Sequence, residues 1–536
     1  MSNENAIRRD VGAIALMFTG LGSIIGSGWL FGAWRAAQLA GPGAVYAWII
    51  GAVVILFVAF TYAEQGAMFP ESGGAVRYGH YSHGSLVGFV AGWAAWIAIV
   101  SVIPVEAEAS VQYMSSWPWE WAQQLYVHAA NGKGELTTPG LLISAALVVV
   151  YFLVNFWSVK IFASTNSAIT FFKLIVPAAT AIALMIAGFH WENFSVGIHG
   201  GAHVTDVAAI LTAVATSGIV FSYNGFQSPV NLAGEARNPG RSVPFAIFGS
   251  IALSTVVYLL LQVAFIGAVS PDHLREGWAG LEYSSPFAQL AIALNLNWLA
   301  ILLYADAFVS PSGTGSTYTA TTARMIYAME RSRTVPEILG RVHPKYGIPR
   351  PAMWFNLIVS FIFLFFFRGW GKLAAVISVA TIITYLVVPI SVMVLRRTAP
   401  DLHRPLRVPG LPILAPLAFV LATLMLFWAR WPHTGQIMLL LILPLPVYLY
   451  YQAKGEWRDF ARQLNASWWL LAYLIAITVL SWAGSKEFEG RNYIGYGWDQ
   501  LCVAVTALVF YFWGVRSGWR TPEIEVLEKA AIAEHR

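Results

Sequence analysis

Four glycines and two serines fall within nine residues of the first long apolar run. Residues 20–28 read GLGSIIGSG, and the run that contains them extends from residue 11 to residue 37. Because each glycine costs a helix interior about 1 kcal/mol relative to alanine, the spacing predicts a break in this helix. In a bilayer such a break persists only inside protein or beside a polar cavity, where its free N–H groups attract a carboxylate and its carbonyls a cation. Close packing of two membrane helices is the alternative explanation, since small residues also serve that purpose.

A second stretch of this kind occurs in the sixth apolar run. Residues 217–229 read SGIVFSYNGFQSP, again polar and glycine-containing near the middle of the run. If runs one to five form one repeat and runs six to ten an inverted second, each break lies in the first helix of its repeat. Paired breaks at matching positions are typical of a midplane site in secondary transporters, so the pairing favours a substrate site over close packing.

The elements that must position these residues are membrane-spanning helices. The 536 residues are 57% hydrophobic and only 11% charged, with a mean hydropathy of +0.62, which predicts an all-α, polytopic membrane protein. No cleavable signal peptide is indicated, because the first apolar run is too long for a signal core. About fourteen spans are predicted, at residues 11–37, 43–69, 84–110, 139–158, 164–188, 205–229, 244–269, 296–328, 352–367, 373–395, 411–430, 434–452, 467–484 and 497–515.

The distribution of charge predicts the orientation. With Arg8 and Arg9 placed in the cytoplasm, lysines and arginines are about three times as frequent in the predicted inner connections as in the outer ones. We therefore expect a multi-pass protein of the cytoplasmic membrane with both termini inside. The net charge of +5 then reflects topology and a lipid bilayer as partner, not a nucleic acid. The single cysteine, Cys502, excludes an internal disulfide.

Four motifs in order resemble the amino acid/polyamine/organocation (APC) superfamily. They are residues 20–28, residues 70–78 (PESGGAVRY), residues 234–244 (GEARNPGRSVP) and residues 323–331 (ARMIYAMER). The resemblance covers residue 11 to about residue 396. It implies the LeuT-type fold, a 5+5 inverted repeat with broken helices 1 and 6, and alternating access with amino acid substrates.

The resemblance also implies a division of the chain. The predicted parts are a cytoplasmic N-terminus (1–10), the first repeat (11–190), the inverted second repeat (205–396), accessory helices 11–12 (410–453), additional helices 13–14 (466–515) and a cytoplasmic tail (516–536).

Site residues follow from matching the two breaks to the family pattern. In helix 1 the glycine-serine-glycine break binds the substrate carboxylate, which free N–H groups and a hydroxyl can hold without a buried positive charge. In helix 6 an aromatic lid and polar groups line the site, and free carbonyls receive the ammonium group. For the lid, ordinary packing is the alternative. The implied substrate-binding residues are Ile24, Gly26, Ser27, Gly28, Phe221, Ser222, Asn224, Gly225 and Gln227.

Lys173 is a cation deep in the fifth apolar run, where a charge is costly and usually functional. Some proton-coupled relatives place a lysine in this span, with its ammonium in the volume of a sodium ion. A buried lysine can lose and regain a proton during a transport cycle, which predicts proton coupling. The alternative is a permanently charged lysine that joins helix 1 to helix 8, as in exchangers.

Arg35 follows Gly28 by two helical turns and therefore faces the same side of the helix. It is a candidate specificity residue for an acidic side chain, and an interfacial arginine is the alternative. Glu106 and Glu108 are candidate partners of Arg35, and Asp306 is a further carboxylate within a span. A positive lining left uncompensated favours aspartate or glutamate, whereas one compensated by these acids favours neutral substrates.

The sequence shows no Walker loop, nucleophile elbow or paired-histidine motif, so we expect no enzyme, no cofactor and no metal. The prediction is a secondary active amino acid transporter, a proton symporter for an acidic L-amino acid. An exchanger without net proton flux and a transporter-like nutrient sensor are the alternatives. Monomer and homodimer both remain open.

Overall fold

The computed structural model describes residues 11–69, 74–127, 134–157, 159–202, 205–332, 334–344, 346–454 and 459–534. The predicted cytoplasmic N-terminus, with Arg8 and Arg9, lies outside these ranges. So do residues 70–73 of the second motif and the last two residues of the predicted tail.

The described ranges are helical apart from connections and one short antiparallel hairpin of β1 (Tyr126–Val127) and β2 (Glu135–Leu136). The helices of the first 200 residues are α1 (Ala13–Ile24), α2 (Gly28–Ala40), α3 (Ala44–Met68), α4 (Gly74–His83), α5 (Ser85–Val100), α6 (Val102–Met114), α7 (Glu120–Gln123), α8 (Thr138–Trp157) and α9 (Val159–Ala187). Those that follow are α10 (Val207–Thr216), α11 (Ile219–Tyr223), α12 (Ser228–Asn231), α13 (Pro239–Ala268), α14 (Pro286–Ala293), α15 (Asn297–Arg331), α16 (Arg350–Phe366), α17 (Trp370–Thr398), α18 (Leu411–Trp428), α19 (His433–Ile442), α20 (Leu445–Lys454), α21 (Phe460–Ala483), α22 (Trp498–Ser517) and α23 (Pro522–Glu534).

Many of these helices are long and apolar enough to span a bilayer. Within the described ranges ten helical segments meet that test, or eleven if the bent pair α10 and α11–α12 counts as one span. Each of the fourteen predicted runs coincides with helix in the structure, including the shorter apolar helices α1 and α16. The polytopic all-α prediction is confirmed. The count of fourteen spans, the inverted repeat and the division of the chain remain predictions.

The core around the two breaks is built by helices distant in sequence. Helix α1 packs against α13, α9 and α12, and α15 packs against α6. Glu64 of α3 is fully buried and accepts hydrogen bonds from Arg396 of α17 (Nε to Oε1, 2.7 Å) and from the Val408 N–H (2.8 Å). Because breaking a buried pair of this kind is costly, it fixes α3 against α17.

Candidate substrate site

The first break lies where the sequence predicts it. Helix α1 ends at Ile24 and α2 begins at Gly28, so residues 25–27 are unwound. The Gly26 N–H donates to the Ile24 carbonyl (3.1 Å), which leaves the Gly22 carbonyl without its usual partner four residues on. The Ser27 N–H donates to Oε2 of Glu106 on α6 (2.9 Å). A half-helix N-terminus thus holds a carboxylate, and that carboxylate belongs to the chain itself.

The sixth run is interrupted at two places, with a bend of 48° at the first. Helix α10 ends at Thr216, and Gly218 has a φ of +94°, which favours glycine. Helix α11 ends at Tyr223, and Gly225 has a φ of +118° before α12 begins. The interruption at Gly225 confirms the predicted break, whereas the bend at residues 217–218 was not assigned from the sequence. A Cβ at position 218 would lie 2.6 Å from the Trp370 ring, so this bend makes room for that indole.

The two breaks pack directly against each other. A Cβ at Gly28 would lie 2.4 Å from Oγ of Ser222, and one at Gly225 would lie 2.7 Å from the backbone of Ser23. The Tyr258 hydroxyl on α13 lies 3.2 Å from the Ile24 carbonyl and 3.0 Å from the Ser222 carbonyl, within donating distance of both. The Ser222 carbonyl is one of the helix 6 carbonyls that the family resemblance assigns to the substrate ammonium, and that role remains a prediction.

An aromatic layer covers one side of the breaks. The Trp370 indole N–H donates to Oγ of Ser27 (2.8 Å). Its ring lies 4.9 Å from that of Phe31 and 5.9 Å from that of Phe221, which is almost fully buried. This position is compatible with the predicted lid, and the lid role of Phe221 remains a prediction.

Asn224 and Gln227 hold the second turn together. The Gln227 amide donates to Oδ1 of Asn224 (2.8 Å), and its Oε1 accepts from the Gly225 N–H (3.1 Å). The Gln227 side chain therefore satisfies a backbone N–H freed by the unwinding, and Asn224 accepts a hydrogen bond from that side chain. Their predicted contact with substrate stays a prediction.

Lys173 on α9 joins the first break to α15. Its Nζ donates to the Gly22 carbonyl (3.1 Å) and to Oγ1 of Thr314 (2.6 Å). The ammonium also interacts electrostatically with the carboxylates of Glu106 and Asp306. The site thus brings two buried acids and one buried base together at the end of α1.

Arg35 lies farther along α2 from this cluster. Its guanidinium stacks on the Trp34 ring (4.2 Å to the ring centroid) and its Nη1 donates to Oε1 of Gln38 (3.0 Å). It also interacts electrostatically with Glu282 and Tyr126. Its candidate partners from the sequence, Glu106 and Glu108 of α6, are bound by backbone groups of other segments.

Those two acids each accept a backbone N–H. Glu106 accepts from Ser27, and Glu108 accepts from Gly369 through Oε2 (3.2 Å). Helical spacing shows only that residues two apart point to different faces of a helix, and which neighbouring segment each carboxylate meets depends on packing.

Three further residues of this site carried no signal in the sequence. Tyr258, Thr314 and Trp370 lie in or beside apolar runs, where tyrosine, threonine and tryptophan are common. Only the structure brings them to the breaks. Among the described residues no group of three or more His, Cys, Asp or Glu could hold a metal ion.

Comparison with known proteins identifies similar chains along nearly the whole length. A family model described as amino acid permease matches residues 11–453. The glutamate/serine transporter AimA of Bacillus subtilis (strain 168) is 59% identical over 519 residues, 96% of this chain and 95% of the relative. The aspartate-proton symporter of the same organism is 35% identical over 536 residues, 99% of each chain. The branched-chain amino acid permease BcaP is 25% identical over 462 residues, 84% of this chain and 95% of the relative.

Proposed function

Because the chain belongs to the amino acid permease family and is a multi-pass amino acid transporter, not an enzyme, we propose that it is a proton-coupled symporter for an acidic L-amino acid. Substrate binds at the two breaks, and alternating access exposes them to each side of the membrane in turn. The α-carboxylate is held by Gly26, Ser27 and Gly28. The remaining predicted contacts are Ile24, Phe221, Ser222, Asn224, Gly225 and Gln227.

The observation that carries proton coupling is the position of Lys173. Its ammonium is held by an α1 carbonyl and an α15 hydroxyl and faces Glu106 and Asp306. With all three groups ionised, the cluster has one net negative charge. An acidic amino acid adds another, which is unfavourable in a low-dielectric site unless a proton accompanies it. The aspartate-proton symporter, 35% identical, supports the same coupling.

The acidic substrate is supported by Arg35 and by the names of two relatives, a glutamate/serine transporter and an aspartate-proton symporter. A small neutral amino acid such as serine is the second candidate. It is favoured by the acids that face both cations, Glu282 near Arg35 and Glu106 with Asp306 near Lys173.

An exchanger without net proton flux is the second candidate mechanism. It is favoured by the same two hydrogen bonds of Lys173, since a lysine fixed between α1 and α15 serves as a structural tie. For location, the excess of basic residues in the predicted inner connections supports the cytoplasmic membrane with both termini inside.

Uptake into proteoliposomes under an imposed pH gradient tests the coupling. Lys173→Ala is expected to abolish gradient-driven accumulation of glutamate while it retains exchange of internal for external glutamate, because exchange needs no net proton movement. Lys372→Ala is the matched control, since that lysine is partly exposed and pairs with Glu135 at the surface.

Two results separate the candidates. Gradient-driven accumulation by Lys173→Ala equal to that of the wild type would overturn the role of Lys173 in coupling and leave it as a structural tie. Wild-type protein that exchanges glutamate but accumulates none under the pH gradient would overturn the symporter in favour of the exchanger. Retained exchange also demonstrates that the variant is folded, so a loss of accumulation then reports on coupling alone.

A further inference from the structure

Glu106 occupies the position at which an amino acid carboxylate is expected. Its Oε2 accepts the Ser27 N–H at 2.9 Å, in the break at the N-terminus of α2. The first N–H groups of a helix have no partner within the helix, so this end is the natural anion site of the break. A fully buried side chain from α6 therefore makes the contact that a substrate carboxylate would need.

Gly26 allows this approach. A Cβ at position 26 would lie 2.6 Å from Oε1 of Glu106 and 3.1 Å from Oγ1 of Thr314. Among the described residues, Oε1 itself has no hydrogen-bond partner. A buried carboxylate with only one of its oxygens bonded is poorly satisfied, so its present position is one that another arrangement can replace.

A second position for this carboxylate lies close by. Thr314 approaches Gly26 on one side and accepts from Lys173 on the other, at 2.6 Å. Glu106 and Lys173 already interact electrostatically. Within the described ranges, the other titratable groups that interact electrostatically with Glu106 are uncharged tyrosines, namely Tyr151 on α8, Tyr258 on α13 and Tyr318 on α15. Asp306 on α15 also faces Lys173.

From this geometry we propose that Glu106 is an internal competitor of the substrate: its carboxylate holds the Ser27 N–H until a substrate carboxylate displaces it toward Lys173. This inference rests on the proposed amino acid site at the breaks. Glu106 is then a specificity-determining residue, because a ligand binds only if its carboxylate replaces that of the protein. It also links ligand binding to Lys173, since the displaced charge moves toward the ammonium.

Binding of L-glutamate and L-serine to purified full-length protein tests the proposal. In Glu106→Gln a neutral amide replaces the carboxylate, and hydrogen bonds from N–H groups to charged acceptors are about twice as strong as those to neutral ones. The dissociation constant of each amino acid should therefore fall by about 3- to 10-fold. Glu106→Asp keeps the charge but is shorter by one methylene group, so it should release the Ser27 N–H and also tighten binding.

Glu108→Gln is the matched control, because Glu108 is buried on the same helix and accepts a backbone N–H from Gly369. Its dissociation constants should stay within about 2-fold of the wild type. Weaker or unchanged binding in both Glu106 variants would overturn the proposal; weaker binding would make Glu106 a ligand of the substrate ammonium. Tighter binding of glutamate but not of serine, found in Glu106→Gln but not in Glu106→Asp, would also overturn the proposal in favour of simple charge repulsion. Wild-type protein that binds neither amino acid would instead reject the proposed function itself.

Discussion

Ser27 receives polar contacts from two sides. Its N–H donates to Glu106 and its hydroxyl accepts the indole N–H of Trp370. Hydrogen bonds to a charged group are worth about 1.5–3 kcal/mol each, more than neutral ones. A ligand at this break therefore exchanges one strong contact for another, and its affinity reflects the difference between them.

Arg35 is the residue that we expect to select substrates with an acidic side chain. Arg35→Ala is expected to raise the KM for glutamate by about 10-fold, because a partly buried guanidinium binds a carboxylate through a charge-assisted contact. The KM for serine should change by less than about 2-fold. Competition assays of uptake in proteoliposomes measure both values.

The control for this prediction is Arg275→Ala, since Arg275 is exposed and pairs only with the exposed Asp272 at 2.7 Å among the contacts of the described chain. An equal rise in KM for glutamate and serine would show that Arg35 supports the site without selecting an acidic side chain.

At the scale of elements, the half-helices of the two breaks fit together because glycine supplies the space. Gly28 begins α2 and meets Ser222 of α11, both the side chain and, at 3.1 Å from a built Cβ, the Cα atom. An interior packed this closely cannot absorb an extra methyl group without movement of the backbone. The relative position of α2 and α11 thus depends on one missing side chain.

Gly28→Ala is therefore expected to push α2 away from α11. Overpacking of this kind costs about 1–3 kcal/mol, and it should also weaken amino acid binding, since both half-helices contribute to the proposed site. Thermal unfolding in detergent and binding of glutamate measure the two effects.

Gly12→Ala serves as the comparison in the same span, because a Cβ at Gly12 meets no atom within 4 Å. If both substitutions change stability and binding equally, close contact between α2 and α11 is not the cause.

At the scale of the whole molecule, helix α22 and the residues that follow it contact α4, the helix that connects α3 to α5. His83 at the end of α4 bonds through Nε2 to the Gly514 carbonyl of α22 (2.9 Å). The Trp519 indole donates to the His83 carbonyl (2.9 Å), and the Thr521 hydroxyl donates to the Tyr81 carbonyl (2.9 Å). Helix α22 and the segment after it therefore hold the connection between α3 and α5 in place.

This contact predicts a dependence of stability on pH. Burial lowers the pKa of His83 to about 4, whereas an unfolded histidine titrates near about 6.5. The unfolded chain thus binds more protons between these values, so the contribution of His83 is complete above about pH 6.5 and is lost as the pH falls toward about 4. The full loss is about 3 kcal/mol.

The measurement is thermal unfolding of the wild type and of His83→Gln between pH 7 and pH 4.5. Glutamine has no ionisable group, so the stability difference between the two proteins should shrink as the pH falls. His433→Gln, at an exposed histidine, is the control and should follow the wild type. A constant difference across this range would contradict the buried neutral state of His83.

The sequence by itself determined the class of the molecule and the two stretches, residues 20–28 and 217–229, in which the helices are interrupted. Apolar runs of bilayer length leave few alternatives to membrane-spanning helices, because hydrocarbon offers no partner for an unpaired peptide group. The four glycines of residues 20–28 predicted the first interruption, since glycine spacing acts within one segment and needs no knowledge of its neighbours. The polar stretch 217–229 indicated the second, and the family resemblance assigned it to Gly225. The family resemblance likewise depended on local motifs.

Only the tertiary structure decided which side chains meet at those breaks. Glu106 was recognised as a carboxylate within a span, but its contact with Ser27 joins residues 79 positions apart. Tyr258 and Trp370 were indistinguishable from ordinary aromatic residues of apolar helices until packing brought them to Ile24, Ser222 and Ser27. The reason is physical: helical periodicity fixes the face on which a residue lies, whereas the neighbour of that face depends on how separate helices pack.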